Sequence, residues 1–94
     1  MLSNKKIKYL AQLKQRKFRQ QRQEFIAEGV RLCEELCRSS CQIQEIYIQR
    51  TSGEDKRERF IFQSVQERNI PLTHVSPSAA ERICSTKTPP PIFA

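Results

Sequence analysis

Residues 14–31 read KQRKFRQQRQEFIAEGVR, and this stretch decides how the chain folds and what it can bind. The stretch begins with five cations, namely Lys14, Arg16, Lys17, Arg19 and Arg22. A short apolar run at residues 25–27 follows, and then come Glu28, Gly29 and Arg31. A charged segment that runs into an apolar one and then into a helix start predicts a buried strand with exposed ends. We expect residues 25–27 to anchor this first strand in a sheet.

The positive charge of the chain is concentrated in its first 22 residues. The 94 residues carry a formal net charge of +7. Residues 1–22 hold eight cations and no acid, whereas the remaining residues hold nine cations and ten acids. Such a basic block on a balanced domain is typical of proteins that bind a polyanion, most often nucleic acid. An acidic protein partner, an anionic membrane surface or a solvated basic tail are the alternatives.

The length of the chain fits one domain with a modest hydrophobic core. Its apolar content of 37% is low, but the apolar residues are clustered, which argues against disorder. No apolar run approaches the ~20 residues that span a bilayer. No apolar segment typical of a signal peptide follows the first cations. We therefore expect a cytoplasmic protein that does not enter a membrane and keeps its cysteines reduced.

The rest of the sequence alternates between helix and strand patterns. Asn4 is expected to cap a first helix over residues 5–15, and residues 16–23 are interpreted as an exposed loop or a frayed extension of it. Further helices are predicted over residues 30–38, 56–68 and 77–84, a polar turn over residues 50–55, and strands over residues 24–27, 43–48, 72–75 and 92–94. Asn69 is expected to end a helix in the left-handed conformation, and Ser76 with Pro77 to start the next. This order predicts an α/β domain of two or three layers around a small, largely parallel sheet.

The cysteines suggest a metal site but fit a packed core better. Cys33, Cys37 and Cys41 are spaced by four residues, which would stack their thiols on one helix face. A zinc or iron–sulfur site would need CxxC-type spacing or a fourth nearby ligand. Because Cys33 and Cys37 fall on the apolar stripe of the helix predicted over residues 30–38, we interpret them as core residues. A metal-dependent redox module stays open as an alternative, and no metal site or catalytic centre is predicted.

The basic stretch has the residue types that RNA-binding proteins use. Arginines outnumber lysines between residues 15 and 22, which suits bidentate phosphate contacts and stacking on bases. Arg31 falls in the first turn of a predicted helix, where backbone N–H groups also favour anions.

An ordered set of motifs resembles the N-terminal substrate-binding domain of SpoU/TrmH-type RNA ribose methyltransferases. That family has a basic RK-R segment before an F-x-x-EG-x-R strand, turn and helix. The matching residues here are Arg16, Lys17, Arg19, Phe25, Glu28, Gly29 and Arg31, and later Asn69-Ile70-Pro71, Val75-Ser76 and residues 86–89. Asn69 stands where the family usually has glycine, and Pro90-Pro91 stand in place of its usual Gln-Gly.

The resemblance implies a fold similar to the kink-turn-binding ribosomal proteins, a small three-layer α/β/α sandwich formed by residues 1–94 as one RNA substrate-binding domain. In that fold RNA is gripped at the turn that corresponds to residues 28–31, and the loop around Lys87 would lie at a neighbouring edge. The resemblance also implies that methylation belongs to a C-terminal knotted domain that binds S-adenosylmethionine and would begin after Ala94. The 94 residues alone would then bind no cofactor and methylate nothing, and a homodimeric parent enzyme is a further expectation.

The predicted function is recognition of structured rRNA or tRNA for ribose 2′-O methylation by the adjoining domain. The residues expected at the RNA are Lys14, Arg16, Lys17, Arg19, Arg22, Glu28, Gly29, Arg31 and Lys87. The turn at residues 28–31 is expected to make specific contacts, while the basic block supplies general attraction. The alternative is a protein-interaction or dimerisation module whose basic face meets an acidic partner.

Overall fold

The structure, a computed structural model, describes residues 2–49, 56–86 and 89–94. Within these ranges the helices are α1 (Asn4–Ala11), α2 (Arg16–Arg22), α3 (Val30–Arg38), α4 (Lys56–Arg68) and α5 (Pro77–Ile83), with a 3₁₀ turn at Gln12–Lys14. The strands are β1 (Ile46–Ile48), β2 (Leu72–His74) and β3 (Ile92–Phe93). The polar turn predicted over residues 50–55 lies outside the described residues.

β1 is the central strand of the sheet that the described residues form, in the order β2-β1-β3. β2 runs parallel to β1, whereas β3 runs antiparallel to it. The expectation of a largely parallel sheet is therefore wrong for the last strand. The backbone N–H of Gln49 donates to Pro91 O at 2.8 Å, and the Gln49 side chain donates to Pro90 O at 3.1 Å. These bonds hold Pro90 and Pro91 at the C-terminal end of β1, so that β3 runs back along β1.

Helices cover both faces of the sheet, which confirms the predicted α/β/α sandwich. Tyr47 and Phe93 point to one face, where α1 and α5 pack on them, and their rings stack with centroids 5.1 Å apart. Ile46, Ile48 and Ile92 point to the other face, which α3 and α4 cover. This division follows from the alternation of side chains along a strand.

The bounds of α3 and α4 agree with the sequence prediction, and those of α1 and α2 correct it. Ser3 rather than Asn4 caps α1, because its Oγ accepts a hydrogen bond from the backbone N–H of Lys6 at 3.1 Å. The loop or frayed extension expected at residues 16–23 is instead the helix α2. Gln15 is extended and separates α2 from the 3₁₀ turn, and Gln23 ends it in the left-handed conformation with φ 56°.

The first predicted strand, at residues 24–27, pairs with the sheet only at its end. Ala27 and Ala94 exchange two backbone hydrogen bonds, each of 2.9 Å, and Glu28 forms a bridge to Phe93. Ala27 is fully buried, but Phe25 is 54% exposed. The expectation that residues 25–27 anchor the strand in the sheet is therefore confirmed for Ala27 and wrong for Phe25, because the pairing starts two residues after Phe25.

Candidate nucleic-acid interface

Arg22 fastens α2 to α1. Its Nη1 donates to the backbone carbonyl of Tyr9 at 2.8 Å, and its Nη2 donates to the side-chain oxygen of Gln12. The guanidinium carbon lies 4.0 Å from the centroid of the Tyr9 ring and 4.8 Å from that of Phe18. A guanidinium close to two aromatic rings is stabilised by the ring quadrupoles as well as by its hydrogen bonds. Arg22 was expected at the RNA, and the structure gives it these intramolecular partners.

Arg19 caps the 3₁₀ turn that precedes its helix. Its Nη1 donates to the carbonyl of Leu13 at 3.0 Å and to that of Lys14 at 2.7 Å. Carbonyls at the end of a helical turn have no partner within the turn, so an arginine that reaches them stabilises the chain reversal. Together with Arg22, this contact makes α1, the 3₁₀ turn and α2 one braced unit, which we call the basic hairpin (residues 4–22).

The other cations of the basic stretch lie on the outside of the basic hairpin. Lys14, Arg16 and Lys17 are exposed. The Lys17 ammonium lies 5.0 Å from the centroid of the Phe18 ring, where it stays open to water. Exposed cations on a braced scaffold suit the phosphates of a nucleic acid, because little conformational entropy is lost when they bind.

Glu28 connects the turn after the first extended segment to the chain after α5. Its Oε2 accepts hydrogen bonds from the backbone N–H and the hydroxyl of Ser85, at 2.9 and 2.8 Å. Its Oε1 accepts one from the Thr86 hydroxyl at 3.3 Å. These bonds bring together the two segments that the sequence predicted to lie at neighbouring edges. Lys87, the predicted contact in the second segment, lies outside the described residues.

Gly29 and Arg31 begin α3 next to Glu28. Gly29 has φ 107°, a conformation that favours glycine, and a Cβ placed on it would meet no atom within 4 Å. Glycine is therefore required here by the backbone and not by lack of space. Its N–H donates to Ile92 O at 3.1 Å, which ties the turn to β3. Arg31 is exposed in the first turn of α3.

An open cleft of about 450 Å³ lies between the basic hairpin and the Glu28 turn. The residues that line it are Leu13, Lys14, Arg19, Phe25, Ile26, Glu28 and Ser85. The cleft thus brings together Lys14, Arg19 and Glu28 from the predicted site. A second hollow, of about 510 Å³, shares Leu13, Phe25 and Ile26 with it and extends past Tyr9 and Tyr47.

Phe25 and Ser85 were not predicted as site residues. Phe25 belongs to an apolar run and matches a family motif, so that the sequence pattern assigned it to the core. Its 54% exposure depends on where the strand pairing starts, which is a property of the fold. Ser85 enters the site through a contact with Glu28 across 57 positions of sequence, which no local pattern indicates.

The cysteines do not gather into a site. Cys33 and Cys37 are buried, whereas Cys41 is exposed beyond the end of α3, so the three thiols do not share a helix face. Burial raises the pKa of the Cys33 thiol to about 12 and that of Cys84 to about 12. Within the described parts of the chain, no group of three His, Cys, Asp or Glu residues could hold a metal ion.

None of the helices within residues 2–49, 56–86 and 89–94 has both the length and the apolar character that a membrane span requires.

The fold and the site define a small α/β/α binding domain with a braced, cationic edge beside an open cleft. The chain belongs to the family of MRM3-like substrate-binding domains, whose model matches residues 4–94. This match confirms the resemblance to the substrate-binding domain of SpoU-type enzymes.

A solved structure has the same fold. It is a crystal structure of an RNA 2′-O ribose methyltransferase, with a TM-score of 0.78 and 22% sequence identity. The match covers 98% of this chain and 34% of that chain, so that our chain spans about a third of the length of that enzyme. No curated protein matches the chain.

Proposed function

We propose that this domain binds structured RNA as the substrate-recognition part of an RNA 2′-O-ribose methyltransferase. The observation that carries the proposal is the exposure of Lys14, Arg16 and Lys17 on the basic hairpin, beside a cleft, in a member of a substrate-binding family. Phosphates supply the sequence-independent part of RNA affinity, and exposed cations are the groups that bind them. Glu28 and Gly29 shape the neighbouring turn, and Arg31 adds a cation at the start of α3.

The methyl transfer itself belongs, in this proposal, to a separate domain of the same polypeptide. The similarity to an enzyme about three times as long supports this division of labour. S-adenosylmethionine would bind to that second domain. A cytoplasmic enzyme that acts on rRNA or tRNA, and a homodimeric assembly, are the finer parts of the proposal.

The test is the binding of fluorescently labelled rRNA and tRNA fragments at two salt concentrations. We expect the logarithm of the binding constant to fall linearly with the logarithm of the salt concentration, by about 0.7–0.9 per phosphate contact. Poly-glutamate serves as the control, because it carries charge without bases or ribose. Binding that is absent, or that does not change with salt, would contradict the proposal. Binding of poly-glutamate as tight as that of RNA would favour the protein-interaction alternative.

A further inference from the structure

Phe25 is the most exposed of the large apolar side chains that the structure describes. It is 54% exposed, compared with 41% for Leu72 and 39% for Leu32. Its position also differs from that of an isolated surface residue, because it lines both the cleft of about 450 Å³ and the neighbouring hollow of about 510 Å³. An aromatic ring that could have been buried in the core is thus presented in a concave part of the surface.

The residues that line the cleft are chemically complementary to the phosphate and to the base of a nucleotide. Lys14 lines it on the side of the basic hairpin, which suits a phosphate, whereas Arg19 beside it already donates to the carbonyls of Leu13 and Lys14. Phe25 and Ile26 give it an apolar surface, which suits the face of a base. The carboxylate of Glu28 lies on the remaining side with its oxygens bonded to Ser85 and Thr86, and its charge directs a phosphate toward the lysine side. The volume falls in the range of about 300–1,000 Å³ typical of ligand sites.

The geometry points to a single unstacked nucleobase as the occupant of this cleft, with its face against the Phe25 ring and its phosphate toward Lys14. The inference rests on the proposed RNA-binding function and names the part of the RNA that the cleft takes. A base stacked within a duplex cannot offer its face to a protein ring, so the occupant has to come from a loop, a bulge or a single strand. Stacking on an aromatic side chain tolerates any base, which fits a cleft with few groups to read base edges.

A fluorescent reporter can test the stacking directly, because the chain contains no tryptophan. In the Phe25→Trp variant the indole is the single tryptophan and lies in the cleft. The Leu72→Trp variant is the matched control, since Leu72 is exposed on β2, at the opposite edge of the sheet. Three probes separate the sources of a signal: an RNA hairpin with a single-stranded loop, a fully paired RNA duplex of the same charge, and inorganic polyphosphate.

We expect the hairpin to quench the emission of Phe25→Trp, and the duplex and polyphosphate to leave it unchanged at saturation. The emission of Leu72→Trp should stay constant with all three probes. Equal quenching by hairpin and polyphosphate, or no quenching by a hairpin that binds, would overturn the inference. Binding of neither RNA by the wild-type chain would overturn the proposed function together with it.

Affinity gives an independent readout. Phe25→Ala should weaken hairpin binding by about tenfold, because stacking of one base on a ring contributes about 1–3 kcal/mol and 1.4 kcal/mol corresponds to tenfold. Phe25→Tyr should retain the wild-type affinity and Phe25→Leu should not, since leucine keeps apolar area but has no ring. Duplex affinity, the salt dependence and the thermal midpoint should stay the same in all three variants. An equal loss for hairpin and duplex would show that Phe25 does not act through an unstacked base.

Discussion

Arg16 and Lys17 share the helix α2 with Arg19 and Arg22, but the two pairs have different surroundings. Arg16 and Lys17 are exposed to solvent. Arg19 and Arg22 donate hydrogen bonds to α1 and the 3₁₀ turn, and the Arg22 guanidinium also lies close to two aromatic rings. Four cations that look equivalent in the sequence thus divide into an outward pair and a bracing pair. The number of cations in a basic segment is therefore larger than the number that can bind phosphates.

The largest effect is expected from reversing the outward pair. The double variant Arg16→Glu/Lys17→Glu should lower RNA affinity about 100-fold at 0.1 M salt, because two phosphate contacts are lost and replaced by repulsion. The salt dependence should become weaker by about one unit of slope per lost contact. Fluorescence anisotropy at several salt concentrations measures both quantities. A large drop in thermal midpoint would contradict the assignment, because it would place these residues with the bracing pair.

The next largest effect is a loss of stability, and it is expected when the bracing pair is substituted. Arg22→Ala should reduce the free energy of unfolding by about 2 kcal/mol, since it removes charge-assisted hydrogen bonds and two ring contacts. For a domain of this size the thermal midpoint should fall by about 10 °C. Arg22→Lys is the matched control and should recover little, because an ammonium lacks the planar fork. Full stability of Arg22→Ala, with weakened RNA binding, would place Arg22 in the outward pair.

A smaller loss of stability is expected at Glu28. Like the bracing pair, this charged residue has intramolecular partners, since it accepts hydrogen bonds from three donors. Glu28→Ala should destabilise the domain by about 1 kcal/mol, and Ser85→Ala by less. The two losses should not add in the double variant, because the hydrogen bond from the Ser85 hydroxyl, which Ser85→Ala removes, is also lost in Glu28→Ala. Urea unfolding of the four proteins gives this double-mutant cycle. Strict additivity would show that the hydrogen bond between the Ser85 hydroxyl and Glu28 contributes nothing to stability.

The smallest structural effect concerns the cysteines, which also divide into exposed and buried groups. At pH 8 a thiol reagent should modify Cys41 in the native protein and all four cysteines after denaturation. Burial raises the pKa of the Cys33 thiol to about 12. The protonated thiol therefore makes its full contribution to the free energy of unfolding below the ordinary thiol pKa of about 8.5. That contribution is lost as the pH rises toward 12. The urea midpoint should therefore be lower at pH 10 than at pH 8, and an unchanged midpoint would contradict the burial of these thiols.

Local patterns in the sequence predicted much of the fold. The apolar stripe of α3, the bounds of α4, the left-handed Asn69 and the Ser76 cap all follow from interactions within a few residues. The helix α2 was missed because it has almost no apolar face. Its bracing comes from contacts such as that between Arg22 and Tyr9, 13 residues apart. Because β3 runs back along β1, its direction also depends on partners distant in sequence.

The candidate site shows the same limit. The types of residues at the cationic edge could be predicted, since charge clustering is visible in the sequence. Which arginines face solvent could not, because that depends on whether a carbonyl or ring of α1 lies within reach. The exposure of Phe25 could not be predicted either. It depends on where pairing with residues 92–94 begins, which the local sequence does not show.

The position of β3 in the sheet has a consequence for synthesis on the ribosome. Residues 92–94 come late in the chain, yet they pair with β1 on one side and with Ala27 and Gly29 on the other. The nascent domain therefore cannot complete its sheet until these residues leave the exit tunnel, and until then two segments expose unpaired backbone groups. Closing the loop from residue 27 to residue 94 also makes folding slower than the helical content suggests.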